Sequence, residues 1–136
     1  MGSEGRRGVA RAMLGLLCGY ALVLGALAAF APRTFYDDFP FFSHWVEMLP
    51  PYNEHLVTDV GGLYLALAVI LGWAAWSLER TLVRAACAGF LLAAVLHLIF
   101  HASHLEGFGT ADGVAEMAAL AALLVPPVVA LWAVEG

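Results

Sequence analysis

The chain has no lysine, and charge of either sign is scarce. Six arginines and eleven carboxylates supply the 12% of its 136 residues that are charged, against about 25% in a soluble domain. With 62% of residues hydrophobic, this composition excludes an ordinary soluble domain and points to a membrane protein. The arginines form no basic patch, which argues against a nucleic-acid partner. Arginine without lysine, in a chain rich in Ala, Gly and Leu, suggests a GC-rich bacterial genome.

Cysteine is also sparse. Cys18 and Cys87 lie in apolar segments and no CxxC occurs, so both read as small buried hydrophobes rather than as a disulfide or thiolate ligands. There is no nucleophile elbow, phosphate loop or dinucleotide fingerprint. Ser103 stands between His101 and His104, but a helical serine usually bonds its own backbone carbonyl.

Long apolar runs are what the chain does have. After a polar arm, Met1 to Arg11, residues Ala12 to Ala31 are 20 positions without a charge, enough to cross about 30 Å of hydrocarbon. The run exceeds the apolar core of a signal peptide and Pro32 follows it, so it reads as a retained span. Further spans are predicted at about 56–78, 82–104 and 114–134, all in one transmembrane domain. Pro126-Pro127 should kink the last and free carbonyls one turn earlier. Asn53 is a plausible N-cap for the second. Between the first and second spans, Phe41, Phe42, Trp45, Val46 and Leu49 share one helical face, predicting a short amphipathic helix in the membrane interface. It would anchor the loop or cover the outer mouth.

Arg6, Arg7, Arg11, Arg80 and Arg84 fall on one side and only Arg33 on the other. The positive-inside rule then places both termini in the cytoplasm of a bacterial inner membrane. The expected fold is all-α: an antiparallel four-helix transmembrane bundle. Its glycines allow close helix approach, within the chain or in a homo-oligomer.

That topology gathers polar residues in the outer half. His97, His101 and His104 stand at i, i+4 and i+7, within roughly 60° of one another on a helix and about 10 Å from first to last. His55 and Asp59 enter at i, i+4 on the second span, Glu54 precedes them, and Glu116 opens the fourth span. Carboxylates at helix N-termini and imidazoles at C-termini complement helix dipoles, which accounts for most of these residues without a function. His97 lies too far from a helix end for that account, and a buried imidazole needs a partner.

Neutral imidazoles with carboxylates suit a divalent transition metal, Zn, Cu, Fe or Mn. The expected ligands are His97, His101, His55 and Asp59, supported by His104, Glu54 and Glu116. Haem b held by His55 with His97 or His101 is a lesser alternative. A proton or small-solute pathway is another, as is a non-enzymatic accessory subunit whose polar network only braces the bundle. A histidine-box hydroxylase or desaturase would be richer in histidine. Whether any reaction is catalysed is left open by these residues.

The segments Asn53-Glu54-His55-Leu56-Val57-Thr58-Asp59-Val60-Gly61 and His97-Leu98-Ile99-Phe100-His101-Ala102-Ser103-His104 resemble those of small four-span membrane proteins of actinobacteria, similar in layout to the DoxX-like families. The resemblance spans about residues 33–130. It implies a four-helix inner-membrane protein with a link to thiol or quinone redox systems, and brings neither an assigned reaction nor an assigned site residue.

Overall fold

The computed structural model describes residues 2–49 and 51–135. Among them there is no strand, and six helical segments follow one another: α1 (Ser3–Phe30), α2 (Pro32–Asp38), α3 (Glu54–Ser77), α4 (Arg80–Ala102), α5 (Thr110–Ala122) and α6 (Val125–Glu135). The helices α1, α3, α4 and the α5–α6 pair are each long and apolar enough to cross a membrane.

Helix α1 packs on α3 and α6, and α4 packs on α3, α5 and α6, so α1 and α4 are diagonal. Pairings fix the directions. Arg11 Nε donates to the Ala75 carbonyl at 3.1 Å and Cys18 Sγ to that of Ala68 at 3.3 Å, so α1 and α3 run oppositely. Arg84, near the start of α4, meets Glu135, at the end of α6, at 3.3 Å. The core is Leu14 and Leu17 of α1, Leu71 of α3, Val83 and Cys87 of α4 and Ala130 of α6, all at 1% exposure or less.

Small residues set the α1–α3 distance. A Cβ at Gly61 would stand 2.7 Å from Ala29 Cα and 2.8 Å from the Ala28 carbonyl carbon. One at Gly25 would stand 2.9 Å from the Leu65 nitrogen. Only hydrogen fits at these two crossings, the close approach expected of small residues between apolar helices.

Helix ends follow their local chemistry. Asn53 caps α3, its side chain accepting from Leu56 N–H at 3.2 Å. Glu79 caps α4, accepting from Thr81 and Leu82 N–H at 3.1 and 3.0 Å. These two backbone bonds hold the Glu79 carboxyl below its ordinary value of 4.5. Pro126 and Pro127 cannot donate to the carbonyls of residues 122 and 123, and the fourth apolar segment breaks there into α5 and α6. Leu124 N–H bonds the Ala121 carbonyl instead, at 3.1 Å.

One helix runs beyond its apolar stretch, and one expectation is corrected. The polar arm is helical from Ser3 onward and continuous with the first span, because its residues extend an existing helix at little cost once it is nucleated. The amphipathic helix over residues 40–49 does not form. Phe41, Phe42 and His44 take φ of 46°, 68° and 59°, left-handed values that end a right-handed helix. Phe41 and Phe42 are exposed rather than aligned on a packed face. The short helix lies earlier, at α2, opened by Pro32 in its first turn. Arg33 there pairs with Asp37 at 2.7 Å and lies over the Tyr52 ring at 4.9 Å.

Candidate functional site: a buried histidine–carboxylate pair

The last turns of α4 and the first turns of α5 meet at the end of the bundle opposite the arginine-rich end. There His101 Nδ1 lies 2.6 Å from Glu116 Oε1, and the two side chains are 7% and 3% exposed. The contact is short but bent, an ion-pair distance without a straight hydrogen bond, and Glu116 Oε2 has no hydrogen-bond partner among the described residues. These are the two polar residues found buried among the described residues. Position explains the meeting: Glu116 is one and a half turns into α5 and faces α4, and His101 ends the apolar face of α4.

One turn deeper, the His97 ring packs edge-on against His101, with centroids 4.3 Å apart. His97 also borders a cavity of about 10 Å³ at the bundle centre, lined by Tyr20, Tyr64, Phe90, Leu120 and Leu123. That is room for one water. The Tyr20 and Tyr64 rings meet at 6.1 Å and Tyr20 meets Phe90 at 6.2 Å. Glu116, His101 and His97 touch in turn, and His97, exposed rather than buried as the sequence led one to expect, shares the cavity wall with the two phenols. Below it lie fully buried Leu14, Leu17, Leu71, Val83 and Cys87, a layer that holds no imidazole or carboxylate.

The remaining expected ligands lie elsewhere. His55 Nε2 pairs with Asp59 Oδ2 at 3.3 Å on the outside of α3, with side chains 83% and 59% exposed. Glu54 is exposed in the first turn of α3. His104 lies beyond α4, stacked on Phe100 at 4.1 Å, with Nδ1 donating to the Phe100 carbonyl at 2.8 Å. A carbonyl can only accept, so this bond fixes the tautomer. Among the described residues no three His, Cys, Asp or Glu side chains converge as metal ligands. The expected set therefore separates into His97, His101 and Glu116 on one side and His55, Asp59, Glu54 and His104 on the other. Helical phase brings His55 and Asp59 together but does not say which way their shared face points.

Sequence reasoning missed Tyr20 and Tyr64. The available signal was a polar-tipped aromatic in the middle of each of two apolar spans, where such residues are usually given a partner.

No protein-family model, curated protein or solved structure matches the chain.

Proposed function

We propose that the protein is a multi-pass protein of the bacterial inner membrane. In this reading the helices form an antiparallel four-span bundle with both termini cytoplasmic. Supporting it are the four long apolar helices and the gathering of Arg6, Arg11 and Arg84 at one end by their contacts with α6 and α3. The layout is also the one implied by the resemblance to small actinobacterial four-span proteins.

Within that frame, the His101–Glu116 pair is a protonatable site that takes up and releases a proton toward the outer face. The observation that carries this reading is the 2.6 Å contact between two buried titratable groups. Ionisable residues in such a setting are costly and tend to mark proton relays or ligand sites. The apolar layer beneath Tyr20 and Tyr64 favours a site open to one side over a path across the membrane.

Infrared spectroscopy of the protein in lipid nanodiscs tests this. A carboxyl band that is lost in Glu116→Gln and altered in His101→Ala should respond to pH over about 4 to 9, where imidazoles and carboxylates titrate. A Glu116 band that ignores pH throughout would reduce the pair to a brace between α4 and α5.

A transition metal is the second reading, favoured by the adjacency of His97, His101 and Glu116. A metal would need these three to draw inward to bonds of about 2.0–2.2 Å. Elemental analysis of the purified protein, with and without His97→Ala/His101→Ala, decides it. The geometry gives less to haem, because His55 is turned outward with Asp59.

A further inference from the structure

At the opposite end of the bundle, the start of α1, the α3–α4 turn and the end of α6 border an open cavity of about 160 Å³. Arg6, Arg7 and Arg80 line it together with Ser3, and Leu78 and Val134 supply apolar wall. Among the described residues, none of these three arginines has a carboxylate within ion-pair distance. Glu79 is committed to the Thr81 and Leu82 N–H groups and Glu135 to Arg84, while Glu4, in the first turn of α1, is exposed and makes no ion pair with these arginines. Arg6 is held in place by its bond to the Trp132 carbonyl at 2.6 Å and by the Trp132 ring 4.6 Å beneath its guanidinium. Its Nε is buried without a hydrogen-bond partner among the described residues. The first turn of α1 also has no side-chain cap, whereas α4 and α3 do. Its free N–H groups add positive potential beside Ser3, partly offset by the Glu4 carboxylate in the same turn.

Three guanidinium groups without a carboxylate partner, a helix start without a side-chain cap and a strip of apolar wall share one recess. We propose that this cavity binds the headgroup phosphate of an anionic phospholipid, with the acyl chains running along Leu78 and Val134. Guanidinium groups bind phosphate oxygens in pairs, and basic recesses between spans on the cytoplasmic side are suited to anionic headgroups. The proposal shares the membrane reading above but does not depend on the His101–Glu116 site.

Native mass spectrometry of the intact protein in mild detergent tests it, with phosphatidylglycerol, phosphatidylcholine and inorganic phosphate as separate probes. One phosphatidylglycerol should be retained under conditions that strip phosphatidylcholine, and its binding should weaken with salt. Arg6→Gln/Arg7→Gln/Arg80→Gln should lower affinity on the order of 100-fold, at about fivefold per arginine. Arg6 also ties α1 to α6, so Arg7→Gln/Arg80→Gln, which leaves that bond intact, is the variant that keeps the test valid if the triple substitution unfolds. Arg33→Gln, at the other end, should change nothing. Equal retention by the helical double variant, equal retention of phosphatidylcholine, or binding of inorganic phosphate as tight as that of the lipid would each overturn the proposal.

Discussion

His101 at the end of α4 and Glu116 midway along α5 meet at 2.6 Å with both side chains buried. Two helices that share few other contacts are joined there by one polar pair in apolar surroundings. Removing one partner leaves the other buried and unsatisfied, at about 1–3 kcal/mol. Glu116→Leu and His101→Leu should each lose that much stability in denaturant titrations of the detergent-solubilised protein. The double variant should lose less than the sum, because apolar replacement of a whole buried pair leaves nothing stranded. Additive losses would show that the two side chains are not coupled.

Adjacent glycines of α3 should behave in opposite ways. Gly61→Ala places a methyl group against the Ala28–Ala29 backbone, and overpacking of this kind costs about 1–3 kcal/mol. At Gly62 the same methyl meets nothing within 4 Å, so Gly62→Ala should be neutral or stabilising by up to about 1 kcal/mol through helix propensity. Thermal unfolding of the two variants side by side checks the contrast.

The Glu79 cap predicts a pH dependence. Because backbone N–H groups hold its carboxyl below 4.5 in the folded chain, the stabilisation is complete above the unfolded value and is lost as pH falls through the lower, folded one. Glu79→Ala should therefore be less stable than the parent at neutral pH, and the gap should close under acid. Parallel unfolding series at neutral and acidic pH measure it. A gap that persists or widens in acid would contradict the capping role.

His55 and Asp59 form an exposed pair, and exposed pairs contribute little. His55→Ala and Asp59→Ala should leave stability within about 0.5 kcal/mol of the parent and leave the Glu116 carboxyl band unmoved. A shifted band would return these residues to the site.

The sequence made the long helices legible because apolar length and helical phase are local properties. Asn53, the proline pair and the pairing of His55 with Asp59 were readable for the same reason. What was not legible required knowing how helices rotate about their own axes. His97, His101 and His104 occupy one stripe, yet His101 is buried, His97 lies at the cavity edge and His104 is held by Phe100 beyond the helix end. His55 has the right depth and the wrong azimuth. The stretch 40–49 failed for another reason: its apolar spacing is helical, but left-handed backbone at Phe41, Phe42 and His44 breaks the helix, leaving Phe41 and Phe42 exposed while Trp45, Val46 and Leu49 are half-buried.

In the proposed function, the His101–Glu116 pair exchanges protons with one side of the membrane. Nitrogen-15 NMR of histidine-labelled protein in oriented vesicles, with inside and outside pH set separately, measures this directly. The His101 signal should follow the pH on the side of the 103–109 loop and ignore the pH at the arginine-rich end. A signal that follows the arginine-rich side, or moves with neither, would contradict it.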